Sequence, residues 1–222
     1  MKGAEGEKAR FDKMEATLYS AVISDILDEI GVRDHTLNNL IRPVRPDMVL
    51  AGRSVPIEFS NVFEEPETPY NAIIEVLDGL KLNEVPLITT GGNSSTAVWG
   101  ELLSTASRAR GARGAIIDGL SRDTRAIVEM KFPVFCTGTS PTDSKGRSDM
   151  IRYRHQVRSG DVVVKPGDIL FADQDGVVAI PTAVEKEVLK RAYEKMSKEN
   201  AVRRELQRGN LLREAWKKHG VL

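Results

Sequence analysis

Residues 91–127 read GGNSSTAVWGELLSTASRARGARGAIIDGLSRDTRAI, from Gly91 to Ile127. Within this stretch GAIIDG (114–119) is a nearly continuous apolar run bounded by glycines, the pattern of a strand buried on both faces. AVWGELLSTASRARG (97–111) has the spacing of an amphipathic helix. SRDTRAIVEMK (121–131) reads as a loop and a short helix. VPLITTGG (85–92) and FPVFCTG (132–138) flank the stretch as short β-branched runs that end in glycine. The order strand, helix, strand, helix, strand predicts an α/β core.

Working outward, MVLAGRSVPIEF (48–59) reads as a strand and NAIIEVLDGL (71–80) as a short helix ending at Gly79. Further upstream, from Ala16, the residues Leu18, Val22, Ile23, Ile26, Leu27 and Ile30 recur at helical spacing, and Gly31 stands where a C-terminal cap belongs. Residues 1–12 are polar and predict a loose lead-in. Downstream, DVVVKPGDILFADQ (161–174) and GVVAIP (176–181) read as strands, with Pro166-Gly167 and Asp175-Gly176 as hairpin turns. A sheet-on-sheet layer flanked by helices follows. From Thr182 the composition is helical, with eleven Lys/Arg against six Asp/Glu and a break at Gly209-Asn210. Val188, Ala192, Met196, Val202 and Leu206 give it an apolar stripe, suited either to packing on its own domain or to an arm on a neighbouring subunit. The expected division is one domain over 1–182 and a helical extension over 183–222, packed on that domain or in oligomer contacts.

Composition narrows the function classes. The formal net charge of zero gives no support to a nucleic-acid binder. The lone cysteine, Cys136, has no intrachain partner, which fits a reducing compartment. The first twenty residues lack the apolar segment of a signal peptide, and no run approaches the roughly 18 apolar residues of a membrane span. A cytoplasmic protein is expected. His35, His155 and His219 lack zinc-ligand spacing with Cys136. The Gly91-Gly92 stretch lacks the lysine of a phosphate loop, and no serine-hydrolase elbow is present. Asp173-Gln174-Asp175-Gly176 starts like a calcium loop, but Thr182 stands where the closing glutamate belongs, so a turn is expected.

What is left is Arg122-Asp123. In α/β proteins functional groups gather beyond the C-terminal ends of buried strands, where Asp118, Arg122 and Asp123 fall. Glu101 opens the preceding helix, whose first amides and dipole favour an anion. The two elements are expected to converge, one offering an anion-binding helix start, the other a cation and a metal-binding carboxylate.

GGN…AVWGELL followed by G…GLSRD resembles the RraA-like family. So do SDILDEIG and VVVKPGDILFADQDGVVAIP, so that the resemblance spans most of residues 16–182. Its core is an acidic residue, twenty residues and then Arg-Asp, here Glu101, Leu102 to Ser121, and Arg122-Asp123. That family contains metal-dependent class II aldolases for 4-hydroxy-4-methyl-2-oxoglutarate and 4-carboxy-4-hydroxy-2-oxoadipate, an RNase E inhibitor, and members formerly labelled demethylmenaquinone methyltransferases. The resemblance implies an α/β/β/α sandwich of swivelling-domain type, assembled as homotrimers or homohexamers with active sites between subunits. It implies Mg²⁺ (or Mn²⁺) on Asp123, and Arg122 on the keto oxygen of a pyruvyl group. The amides near Gly100, Leu102 and Leu103 would hold the pyruvyl carboxylate, and Glu101 the water shell of the metal.

The implied function is a lyase that cleaves a 4-hydroxy-2-oxo acid to pyruvate through an enolate, with oxaloacetate decarboxylation as a side activity. The implied alternative is a protein-binding regulator of RNase activity without catalysis. Aldolase members often continue Arg-Asp-x-x-Asp/Glu; here Ala126 takes the acidic position, which leaves the substrate open. Glu29, Arg33 and His35 are candidates for groups donated by a neighbouring subunit.

Overall fold

The computed structural model describes residues 2–92 and 95–221; Asn93 of the glycine-rich stretch lies outside them. Four parallel strands form its centre: β2 (Leu50–Asn61), β3 (Glu84–Thr89), β5 (Ala115–Ser121) and β6 (Val134–Thr139). The connections carry α3 (Asn71–Asp78), α4 (Glu101–Ala109) and α5 (Thr124–Met130). Side chains alternate across the pleat. On β5, Ala115 and Ile117 pack under α3, α4 and α5 with Ile73, Val76 and Ile127, while Ile116 points to the opposite face with Leu87 and Phe135. Both faces are covered, which is why GAIIDG carries no alternation of polar residues.

Two antiparallel strands, β10 (Ile169–Asp173) and β11 (Gly176–Ile180), continue the sheet from β2. At the other end β1 (Arg42–Pro43) pairs with β6. Residues between them bring the ends together: Thr36 bridges Val178, and the Leu37 amide donates to Val177 O at 3.0 Å. The sheet therefore nearly closes, with Leu37, Leu50, Leu87, Phe135, Leu170 and Val177 inside it. Outside β10 and β11 lie α1 (Lys2–Thr17), α2 (Ser20–Glu29) and α6 (Glu185–Gln207), packed through Phe11, Met14, Ile23, Leu27, Val188 and Ala192. Helices, two sheet layers and helices make the α/β/β/α sandwich that was expected. Each fully buried Leu, Ile or Phe contributes about 1.5–3 kcal/mol, so these three contiguous cores dominate the fold.

Several local expectations are corrected. The expected loose lead-in is, over residues 2–12, part of a helix: α1 begins at Lys2, and its Phe11 and Met14 are fully buried. The presumed helix 97–111 begins as a strand, β4 (Ala97–Trp99), paired with the end of β5. The sequence reading also passed over β7 (Ser148–Tyr153), an edge partner of β2. Pro166-Gly167 is a turn but not a hairpin. β9 (Val162–Val164) before it pairs instead with β8 (Val157–Ser159). Buried Asp168 explains the change of direction, because its carboxylate accepts the amides of Lys165 and Thr182 at 2.9 and 3.0 Å. Asp175-Gly176 is the hairpin turn between β10 and β11. Asp173 accepts from the Ser20 amide and hydroxyl, both at 2.7 Å, and so holds the start of α2.

The tail divides at Gly209 (φ +88°) into α6 and α7 (Leu212–His219). The first half of α6 belongs to the core, tied by Lys195 to Asp25 at 2.6 Å and by Glu185 to Arg53. α7 folds back on α6: Ala215 and Val202 are buried, and Lys218 and His219 meet Glu205 at 2.6 and 3.0 Å. No helix among the described residues is long and apolar enough to cross a membrane.

Candidate active site

Two strand ends meet at the site. β5 leaves β3 after Asp118, and its last residues pair with β4, Trp99 opposite Ser121. Gly119 permits this, since a Cβ there would lie 2.6 Å from Thr90 Cγ2. Each strand then feeds a helix, β4 into α4 and β5 into α5, and the Arg122 amide donates to Trp99 O at 2.9 Å to lock the two turns together. Trp99 is the buried floor; its Nε1–H donates to Ser104 Oγ at 2.8 Å, and that hydroxyl donates to Gly100 O at 3.0 Å.

Gly100 stands at the crossing. Its φ of −160° suits any residue, so space decides its identity. A Cβ would lie 2.6 Å from Asp123 Oδ2 and 3.2 Å from Arg122 Cγ. Asp123 occupies the left-handed region (φ 55°), at a cost of order 1–3 kcal/mol for a non-glycine residue. It precedes α5 but makes no side-chain cap there. Its carboxylate turns instead to α4, where Oδ2 accepts the Glu101 amide at 3.3 Å and lies 3.6 Å from Arg122 Nε. Asp123 Oδ1 has no partner among the described residues. The Leu102 and Leu103 amides, in the first turn of α4, find no acceptor there either, as expected of a helix start.

Arg122 is held from its other side by a residue the sequence reading did not single out. Asp143, in the loop after β6, places Oδ1 3.4 Å from Arg122 Nη1, and its Oδ2 accepts from Tyr70 Oη–H at 2.5 Å. Burial raises the Asp143 pKa, but the Tyr70 hydrogen bond, the Arg122 charge and the Ser144 and Lys145 amides together outweigh it and hold the carboxyl below its usual range. Burial first, then the Asp143 bond, push Tyr70 up to about 12, so it stays a protonated donor. The sequence signal was faint: a single aspartate in a polar loop, and a tyrosine 73 positions away. These groups line a cavity of about 430 Å³ together with Phe59, Ile73, Ile74, Leu102, Leu103 and Ala106 and with the polar Lys145, Ser148 and Asp149.

Gly100, Glu101, Leu102, Leu103, Arg122 and Asp123 therefore come together around the start of α4. The Glu101 carboxylate itself lies along the helix and accepts from Thr105 Oγ1 at 2.7 Å. Asp118 is not part of the group; it accepts from Asn38 Nδ2 at 2.7 Å and Ser159 Oγ at 2.6 Å on another surface. Of the three residues considered for donation to a neighbour, His35 is buried between Ser24 Oγ and Val32 O. Glu29 pairs with Arg191, and Arg33 with Asp28. Ala126 lines a second recess that shares Arg122 and Asp123, together with Arg125, Glu129 and Ser140.

No cluster of three or more His, Cys, Asp or Glu fit to hold a metal occurs among the described residues. A cation that keeps most of its waters and takes one carboxylate nevertheless fits Asp123, with one oxygen fixed by an amide and the other open. Such sparse ligation suits Mg²⁺.

A fold of this kind, with paired strand ends presenting Arg-Asp to a helix start, defines a class. The family model described as Aldolase/RraA matches residues 20–179, and the chain belongs to this RraA-like family. Protein DlpA of Legionella pneumophila is 29% identical over 196 residues, covering 88% of this chain. The chain spans only 31% of that relative's length. A Halalkalibacterium halodurans protein named "Putative 4-hydroxy-4-methyl-2-oxoglutarate aldolase" is 26% identical over 185 residues, 83% of each chain. Among solved structures, Streptomyces coelicolor RraAS2, described as an unusual member of the RNase ES inhibitor RraA protein family, superposes with a TM-score of 0.75. Its identity is 26%, over 84% of this chain and 91% of that one.

Proposed function

We propose that the chain is a divalent-metal-dependent lyase that cleaves a 4-hydroxy-2-oxo acid to pyruvate through an enolate, with oxaloacetate decarboxylation as a side reaction. The observation that supports this reading is the convergence of Arg122 and Asp123 at the start of α4, where Asp123 Oδ2 accepts the Glu101 amide beside the first-turn residues Leu102 and Leu103, across a glycine that leaves them room. The α4 amides receive the substrate carboxylate. Arg122, oriented by Asp143 and Tyr70, donates to the keto oxygen where negative charge develops. Asp123 holds the Mg²⁺ or Mn²⁺, which when bound supplies a Lewis acid for that charge. Glu101, at the mouth, positions the water that carries the 4-hydroxyl proton away. The C3–C4 bond then breaks, its electron pair enters the enolate, the C4 fragment leaves as a carbonyl compound, and a proton from water reaches C3 to give pyruvate. Copies of the chain are proposed to assemble as homotrimers or homohexamers.

The test is pyruvate release from oxaloacetate with Mg²⁺ and with EDTA. Turnover well above the free-metal rate, lost with EDTA, is expected. A rate equal to free Mg²⁺ contradicts the reading. The second reading, a non-catalytic regulator of an RNase, draws on the description of the Streptomyces coelicolor relative. The two differ in what they ask of Asp123: RNase inhibition undiminished in Asp123→Ala favours the regulator.

A further inference from the structure

We propose that the end of the C-terminal extension of one copy docks on the face around Phe63 and Ile74 of a second copy. This rests on the proposed assembly of copies and not on the lyase reading. The first surface is residues 203–218, where six Lys/Arg stand against two glutamates. Lys218 is engaged with Glu205, but Arg204, Arg208, Arg213 and Lys217 are exposed and join no ion pair among the described residues. Among these cations lie Leu211, Leu212 and Trp216, 66%, 53% and 50% exposed. Leu212 and Trp216 are four residues apart on α7 and share one side of it.

The second surface is residues 61–80, which hold five acidic residues and no Lys or Arg. Glu65 meets Lys145 at 2.9 Å, whereas Glu64 and Glu67 are exposed and join no ion pair among the described residues. Phe63 is 100% exposed, and Ile74 on α3 and Leu102 on α4 are at least half exposed. Apolar surface gathered in this way and rimmed by charge is left for a partner to cover. Each surface thus has an apolar centre and a charged rim, and the rims are opposite in sign. The two lie on opposite outer layers of the sandwich: Trp216 faces α2 across a cleft with Ile26 and Glu29, while α3 and α4 cover the other face. They therefore meet between copies. Contact between unlike surfaces is head-to-tail and closes as a ring when its rotation permits. The docked extension roofs the cavity beside Arg122, since Ile74 and Leu102 are among its walls.

The test is the dissociation constant of the assembly, from light scattering over a concentration series, for variants confined to exposed side chains. Arg213→Glu with Lys217→Glu, and separately Glu64→Lys with Glu67→Lys, set like charges against each other. Each pair is expected to raise the constant at least about 100-fold. All four substitutions in one chain exchange the signs and restore the attraction, and this variant is expected to recover the wild-type mass. Unfolding midpoints close to wild type show that each variant is folded. Phe63→Ala removes a side chain with no packing to lose in the single chain, and is expected to weaken assembly about tenfold or more. An oligomer that neither charge pair weakens, or that the fourfold variant fails to recover, overturns the inference and leaves assembly standing. An unchanged constant in Phe63→Ala overturns the placement of the contact at Phe63. A wild type that is monomeric at every concentration overturns both the inference and the assembly, and leaves the lyase reading untouched.

Discussion

Gly100 fixes where the Asp123 carboxylate can sit. Gly100→Ala adds a single carbon that meets Asp123 Oδ2 at 2.6 Å, on a backbone that alanine adopts without strain. The carboxylate must move. A displacement of the order of 1 Å at a reacting centre costs about 100-fold in rate. The expected result is a loss of that size in pyruvate-forming activity with an unfolding midpoint close to wild type; an unaffected rate would mean that Asp123 does not need this position. Asp143→Asn removes the charge that faces Arg122 while keeping a group for Tyr70. Outer partners of this kind are typically worth 10- to 100-fold, and a drop of about that size in kcat/KM is expected, again at nearly unchanged stability. The Arg122-Asp123 pair and Glu101 were legible because adjacent residues and a fixed spacing carry them. Asp143 and Tyr70 were not, since they reach Arg122 only after a loop and a helix start have been brought together by the sheet.

At the scale of elements, legibility follows how much of an element's stability is apolar. β5, α2 and the β10–β11 hairpin announce themselves, because their buried faces are runs or stripes of Ile, Val and Leu. α1 does not. Among its described residues only Phe11 and Met14 are fully covered, and much of the rest of its hold is ionic. Glu7 and Arg10 meet Arg53 and Glu185, and Asp12 and Glu15 meet Arg113. The guanidinium carbons of Arg10, Arg53 and Arg113 lie 5.2–5.8 Å from the Phe11 ring centre. Such pairs join residues distant in sequence and leave no periodicity to read. Phe11→Ala should therefore cost about 3–5 kcal/mol, measured by urea unfolding; a change below about 1 kcal/mol would show that α1 is held by its ion pairs alone. β4 and β7 were hidden for another reason. β4 is three residues long, and β7 carries mostly polar side chains along a sheet edge.

Across the whole molecule, the near-closure of the sheet through residues 35–43 divides the apolar side chains into an inner core and two outer ones. The α/β/β/α layering was legible in outline from the alternation of strands and helices; the closure was not, because it depends on backbone bonds made by a segment without strand periodicity. The site sits on the outer surface of one half, where β4 and β5 end together, and the rigid layer beneath holds Arg122 and Asp123 to the start of α4. The account's central claim is that this constellation stabilises a pyruvate enolate with the help of a cation on Asp123. Its most direct test needs no knowledge of the natural substrate: the rate of deuterium exchange into the pyruvate methyl group in D₂O, for the wild type and for Asp123→Ala, with Mg²⁺ and with EDTA. The account predicts exchange above the buffer rate for wild type with Mg²⁺, and buffer-level exchange with EDTA or with Asp123→Ala. Exchange at the buffer rate in the Mg²⁺-loaded wild type, or undiminished exchange in Asp123→Ala, would contradict it.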